Sequence, residues 1–405
     1  MSSILRNTLK AITDIWDSPQ SRQCRIINKI KIAIKSNNSI ELNELIKANI
    51  INLNTRYSQL MNRTILLLAC DMCKIECVKV LLDNNDIKLF DLDRVLASAG
   101  LSGNVELFNC LLDYIIDHGL QLNDSVVLNC FQTLANTNRL DNIEIATRLL
   151  SHVKDVNFTQ HRNLPHSSFL YLACGSGNCE LVRILLGRGA DRSDESHDGK
   201  DALYIAAHCA HLGAVRLLFE WEGDDKISTS SISTALSAAC TQGHIEVVRF
   251  LIENGASLNV TNEYGYTLLA QAVGAPDGKY YALVEMLIEY GADVDARDTR
   301  ATPLVVAVQY GRSDLVELLL NNGADINLGD TNTGNTPLMT ASLHQSTVLV
   351  KLLLERGADV TQVNRDGHDA LDLLKGEKDC DQVRRIRKLC EVYLEYSQGM
   401  KPLLK

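Results

Sequence analysis

No stretch of this 405-residue chain stays apolar for eighteen residues, so no segment is long enough to cross a membrane as a helix. Basic charge is short as well: 40 Lys and Arg stand against 50 Asp and Glu, a net charge of −10, with no basic stripe of the kind phosphate backbones need. The first seventeen residues (MSSILRNTLKAITDIWD) are broken by Arg, Lys and Asp and lack the continuous apolar segment of a secretory signal. Catalytic signatures are missing too. No Gly-x-Ser-x-Gly elbow occurs, and Gly274 to Lys279 falls one residue short of a phosphate loop and is followed by Tyr280 where that loop requires Ser or Thr. These absences exclude a membrane-spanning helix and a nucleic-acid reader, and they predict no enzyme, no cofactor and no metal.

What is present is a period. Leu170, Leu203, Leu236, Leu269, Leu304, Leu338 and Leu371 are separated by 33, 33, 33, 35, 34 and 33 residues. One supersecondary unit has been copied in tandem, and a unit of that size buries its apolar face only by stacking on its neighbours. The twelve cysteines fit the repeat better than a disulfide framework. Cys70, Cys174 and Cys240 each fall four residues after a marker leucine, where another copy has Ala207, which makes them small core residues. That usage predicts a reducing, cytoplasmic setting. Cys70, Cys73 and Cys77 form a C-x2-C-x3-C run, but the repeat register explains all three without zinc.

Two copies show the unit, TPLVVAVQYGRSDLVELLLNNGADIN from Thr302 and TPLMTASLHQSTVLVKLLLERGADVT from Thr336. Thr supplies a helix N-cap and Pro suits the first helical position. A turn follows, marked elsewhere by Gly177 or Gly243, and then a second helix closed by Gly189, Gly255, Gly291, Gly323 or Gly357. Tight turns at Asp198-Gly199, Tyr264-Gly265, Thr333-Gly334 and Asp366-Gly367 lead into the next unit. Turn, helix, turn, helix at this spacing closely resembles the ankyrin repeat. The resemblance implies an all-α solenoid of about ten stacked units with terminal caps. We divide the chain into an amphipathic capping segment (1–25), degenerate repeats (26–157), regular repeats (158–375) and a C-terminal capping helix and tail (376–405). Marker leucines for the degenerate part are set at Leu66, Leu96 and Leu134.

The chain departs from the family at several points. The slot after the marker leucine, where the family has His, holds Tyr171, Tyr204, Ser237, Ala270, Val305 and Met339, so the locking hydrogen bonds of that His are expected to be missing. Arg300 replaces a turn glycine, and Glu222 a helix-closing one. In the final helix, Val383, Ile386, Leu389 and Tyr393 are expected on one face, with Arg384, Arg385, Arg387 and Lys388 turned outward.

Carrying over the family's concave face, formed by hairpin tips and first helices, selects His197, Asp198, Lys200 and His208 in one unit, Thr241 and Gln242 in the next, then Glu263, Tyr264 and Tyr266, then Asp298, Thr299, Arg300, Gln309 and Tyr310, then Asn332, Asn335, Leu343 and His344, and finally Arg365, Asp366 and His368. Aromatics make up only 5% of the chain, so the grouping of Tyr264, Tyr266, Arg300 and Tyr310 stands out. Tyr and Arg dominate interface energy once buried. The expected binding site is these four with His344, Lys200 and His208, and Tyr280 and Tyr281 are expected to flank it. The expected role is a monomeric protein-interaction scaffold or adaptor for a protein partner. Two rivals are a substrate-recognition subunit that brings partners to an enzyme such as a ubiquitin ligase, and membrane-surface attachment through Ile4, Leu5, Leu9, Ile12, Ile15 and Trp16.

Overall fold

The computed structural model describes residues 19–48, 64–83, 92–120, 122–136, 143–158, 168–193, 200–221, 227–262, 265–275, 280–297, 301–375 and 381–397. The N-terminal stripe, Tyr264, Arg300 and Glu222 lie outside these residues. The chain divides into two compact units, Met1–Asp198 and Gly199–Lys405. Both are helical, and the described residues contain no strand, only an isolated bridge between Thr261 and Thr267.

The first unit holds the helix pairs α1 (Pro19–Lys35) and α2 (Ser39–Lys47), α3 (Ile65–Asp71) and α4 (Ile75–Leu82), α5 (Leu92–Leu101) and α6 (Val105–Asp117), α7 (Asp124–Asn136) and α8 (Ile143–Leu150), and α9 (Phe169–Ser176) and α10 (Cys179–Gly187). The second holds α11 (Ala202–His208) and α12 (Leu212–Glu220), α13 (Thr229–Gln242) and α14 (Ile245–Glu253), α15 (Leu268–Gly274) and α16 (Tyr281–Glu289), α17 (Pro303–Gln309) and α18 (Ser313–Asn321), and α19 (Pro337–Leu343) and α20 (Thr347–Glu355). The short α21 (Ala370–Leu373) and the long α22 (Asp381–Ser397) follow. In the second unit the first helices α11, α13, α15, α17, α19 and α21 pack in succession, and in the first unit α3, α5, α7 and α9 do the same. The apolar seams therefore lie between neighbouring pairs, as stacking of an amphipathic unit requires.

The starts of the first helices follow from sequence. Thr64, Ser168, Asp201, Ser228, Thr267, Thr302, Thr336 and Asp369 each accept a hydrogen bond from the amide three residues on. This satisfies one of the donors a helix start leaves open. Pro303 and Pro337 then occupy the first turn, where no amide is needed. Marker leucines Leu170, Leu203, Leu236, Leu269, Leu304 and Leu338 are at most 2% exposed. Leu134 departs from the expected register: it lies near the C-terminal end of α7, because the link from Asn136 to Ile143 is longer than the Tyr310–Arg312 link of a regular copy.

The turn between paired helices needs one residue at positive φ. Gly103, Gly177, Gly243 and Gly311 fill this slot in four copies, and Asn37, Cys73, Ala210 and Gln345 fill it elsewhere at φ of 54°, 53°, 63° and 54°. A side chain there costs about 1–2 kcal/mol. Glycine's greater freedom in the unfolded chain returns part of that gain. Gln345→Gly is therefore expected to raise the stability of the second unit by about 1 kcal/mol, read as a higher urea midpoint with an unchanged slope.

The missing His after the marker leucine is compensated from another position. His244 Nε2 donates to the His208 carbonyl (2.9 Å), Tyr280 Oη to the Thr241 carbonyl (2.9 Å) and Arg312 Nη1 to the Ala275 carbonyl (3.4 Å). Each donor stands at the N-terminus of a second helix and reaches the carbonyl-rich end of the preceding first helix. Neighbouring repeats are thus locked at the turn, and of the slots the family uses Ser237 also reaches the next repeat, its hydroxyl donating to Gln271 Oε1 (3.2 Å). A second ladder runs along the opposite edge: the amides of Asp191, Asp325 and Asp359 donate to the side chains of Asn157, Asp295 and Asn327 in the repeat before.

The terminal helix packs against α20 and α21, and on the face expected to be apolar Leu389 and Tyr393 are only half-buried. Val383, Ile386 and Cys390 are buried, and Arg384, Arg385 and Lys388 are exposed. Arg387 is instead half-buried, and its Nη2 donates to the Leu374 carbonyl (2.6 Å), closing the end of α21.

Candidate functional site

Three consecutive repeats of the second unit enclose one groove of about 560 Å³. Tyr266, Ala270, Gln271 and Gly274 contribute from the first repeat, and Ala301, Val306, Gln309 and Tyr310 from the second. Asp330, Asn332, Thr333, Asn335, Thr340, Leu343 and His344 complete it from the hairpin and helix of the third.

Tyr310 follows the last residue of α17, where its amide donates to the Val306 carbonyl, and its side chain is free to project. It is 62% exposed, with the ring beside Gly274, where an added Cβ would meet it at an ordinary contact distance of 3.4 Å. Tyr266 is held by the tight turn before it, its amide donating to Asn262 Oδ1 (3.0 Å) and its carbonyl accepting from the Asn262 amide (2.9 Å). His344 caps α19 next to Leu343, which is 38% exposed. Gln271 is fully engaged: its Oε1 accepts from Ser237 and Thr241, and its Nε2 donates to the Tyr266 carbonyl.

The third wall is organised by Asp330. Burial raises its pKa, but the Thr333 hydroxyl and the amides of Thr333, Asn332 and Asn335 all donate to the carboxylate, and the net effect holds it below the usual carboxylate range. The loop closes tightly at Gly329, where a Cβ would lie 2.5 Å from the Gly334 carbonyl oxygen. Gly329→Ala must displace backbone on both sides. It is expected to cost about 2 kcal/mol, within the range for overpacking. Thermal melts of the variant measure this.

Of the expected site residues, the structure brings Tyr266, Tyr310 and His344 together with Gln309, Asn332, Asn335 and Leu343. Lys200, just before α11, and His208, at its end, belong to a separate cluster, with Lys200 Nζ 5.5 Å from the centre of the Tyr204 ring and Tyr204 stacked on His208 at 5.8 Å. Tyr280 does not flank the groove. It is buried at 8% exposure as a bridge between repeats, while Tyr281 is 38% exposed. Asp330, Thr333 and Gln271 went unselected by the sequence reading. A run of hydrogen-bonding residues after Asp330 was the available signal for the first two.

Burial lowers the His208 pKa, and His244 and Lys200 lower it further. A histidine held neutral in the fold contributes stability that is complete above its unfolded pKa of about 6.5 and lost as the pH falls through that value. The melting temperature is expected to drop between about pH 7 and 5, and to drop less in His208→Gln. An equal drop in both proteins would refute this assignment.

Elsewhere the polar chemistry is absorbed by packing. Cys70 and Cys77 are buried, and burial pushes both thiols up; burial also raises the Cys240 thiol to about 12. Cys73 is the exposed residue in the turn slot. No group of three or more His, Cys, Asp or Glu among the described residues could hold a metal ion. No described helix is long and apolar enough to cross a membrane.

Comparison with known proteins agrees with this geometry. The family profile described as ankyrin repeats (3 copies) matches residues 134–230, 222–298 and 297–364, together more than half of the chain. The ankyrin repeat protein YahD of Escherichia coli (strain K12) is 30% identical over 147 residues, which cover 35% of this chain and 73% of YahD. A transient receptor potential cation channel subfamily A member 1 homolog of Caenorhabditis elegans is 28% identical over 162 residues, 40% of this chain but only 13% of the channel. Among solved structures, the human ASB11 ankyrin repeat domain is 24% identical with a TM-score of 0.46, covering 55% of this chain and 98% of that one. The profile match and the stacked, capped helix pairs lead to one assignment: the chain belongs to the ankyrin repeat family.

Proposed function

We propose that this protein is a non-catalytic interaction scaffold or adaptor that captures a protein partner across the groove lined by Tyr266, Tyr310 and His344. The observation that carries the reading is Tyr310: a ring 62% exposed, standing in a concavity beside the exposed Leu343, in a chain with few aromatics. Tyrosine contributes large contact area with few rotatable bonds, so burying it against a partner yields much binding energy at small ordering cost. Short helices fixed at both ends preorganise the surface. The net charge of −10 favours protein over nucleic acid as partner. Buried free thiols in the core slots at Cys70 and Cys240 support a cytoplasmic location. We take the protein to act as a monomer.

The test is site-specific photocross-linking in cells. Benzoylphenylalanine placed at position 310 is expected to trap a discrete adduct, while the same group at Val348, exposed on α20 away from the groove lining, is not. The triple variant Tyr266→Ala, Tyr310→Ala, His344→Ala should then bind the trapped protein at least about tenfold more weakly, as expected for loss of a hot spot. Equal adducts at both positions, or unchanged affinity of the triple variant, would remove the site.

A further inference from the structure

We infer that the groove takes an extended, uncharged stretch of its protein partner, with the partner's backbone pairing to the carboxamides of Gln309 and Asn332 and one large apolar side chain seated against Tyr310 and Leu343. This rests on the reading of the groove as the partner site and goes on to specify the partner's chemistry.

The first support is which polar groups are left over. The carboxamide of Gln271 is consumed by Ser237, Thr241 and Tyr266, and Asn335 accepts from Asn364 Nδ2 (2.8 Å). The side chains of Gln309 and Asn332 are exposed and make no hydrogen bond to the described residues, although both line the groove. A carboxamide carries an acceptor and two donor hydrogens, the complement of one residue's N–H and C=O. Helices and sheets have already paired those backbone groups internally; an extended segment has not.

The second support is charge. Asp330 is the one carboxylate among the described residues that line the groove, and four donors of its own loop surround it. A charged partner side chain entering here would shed water without gaining a counter-charge, which is costly. The third support is size. A space of about 560 Å³ lies within the range that encloses a small ligand, so it suits a short segment better than the face of a folded domain.

The probe is a random dodecapeptide phage library panned on the full chain, followed by synthesis of the winning peptide and fluorescence anisotropy. The winners are expected to share an uncharged, apolar centre. Their affinity should change less than about twofold between roughly 0.1 M and 1 M salt, since no exposed ion pair is involved. The double variant Gln309→Leu, Asn332→Leu should lose about tenfold or more, as should a peptide N-methylated at its central amides. Both substituted residues are exposed, and an unchanged melting temperature verifies the variant's fold. Winners rich in charge whose binding collapses with salt, or full binding to the double variant, would overturn the inference. Should Tyr310→Ala abolish binding while the double variant does not, only the backbone pairing falls and the groove stands. Should neither matter, the groove assignment itself fails.

Discussion

Replacing Tyr280 with Ala is expected to destabilise the Gly199–Lys405 unit by about 3–5 kcal/mol, the range for deleting a buried aromatic side chain. The ring is 8% exposed and lies against Gly243, where even an added Cβ would come within 3.1 Å of it. Its hydroxyl donates to the Thr241 carbonyl across the repeat boundary. The variant therefore opens a cavity and leaves a helix-end carbonyl unpaired at once. Tyr280→Phe separates the two contributions, since it keeps the ring and removes only the hydrogen bond, for about 1 kcal/mol. Urea unfolding followed by circular dichroism measures both. A midpoint for Tyr280→Ala close to wild type would mean that the residue is a surface group and that the turn-to-carbonyl ladder does not lock the repeats.

Asp201→Ala is expected to cost about 3 kcal/mol, from a lost helix cap and a stranded buried hydroxyl. Asp201 is 1% exposed, accepts from the Tyr204 amide at 2.8 Å, and also accepts from the Ser231 hydroxyl, which belongs to the next repeat and is itself 4% exposed. Two repeats share this one carboxylate. The cap alone would cost about 1 kcal/mol, so the excess measures the bond between repeats. Ser231→Ala made in the Asp201→Ala background should restore part of the loss, because the hydroxyl without an acceptor is gone. Strict additivity of the two substitutions would contradict the shared bond.

Much of the fold was legible because the repeat imposes the same demands many times. The Thr-Pro starts form capped helices, the marker leucines from Leu170 to Leu338 form core, and Cys73, which the repeat register sets in the turn-glycine slot, has a φ of 53°. Register failed where spacing failed: Leu134 stands 38 residues after Leu96 and 36 before Leu170, and it falls near the C-terminal end of α7 instead of its start. The site was legible in part. Position within the repeat located Tyr266, Tyr310 and His344, since the concave edge recurs at fixed offsets. It could not tell Tyr280 from a surface residue, because burial there depends on Gly243 in another repeat leaving room for the ring. Nor could it see that Arg387 turns inward, since helical spacing shows a face but not the open carbonyl of Leu374 waiting beside it.

The claim on which the account rests is that a partner settles on the concave edge of the repeats between Tyr266 and His344. Hydrogen–deuterium exchange of the full chain, with and without the photocross-linked partner protein, tests it most directly. Slowed exchange is expected to be confined to the hairpin at 329–336 and the ends of α17 and α19, with the outer helices α18 and α20 unchanged. Protection centred on α18 and α20, or on the Met1–Asp198 unit, with the groove exchanging as freely as before, would contradict it.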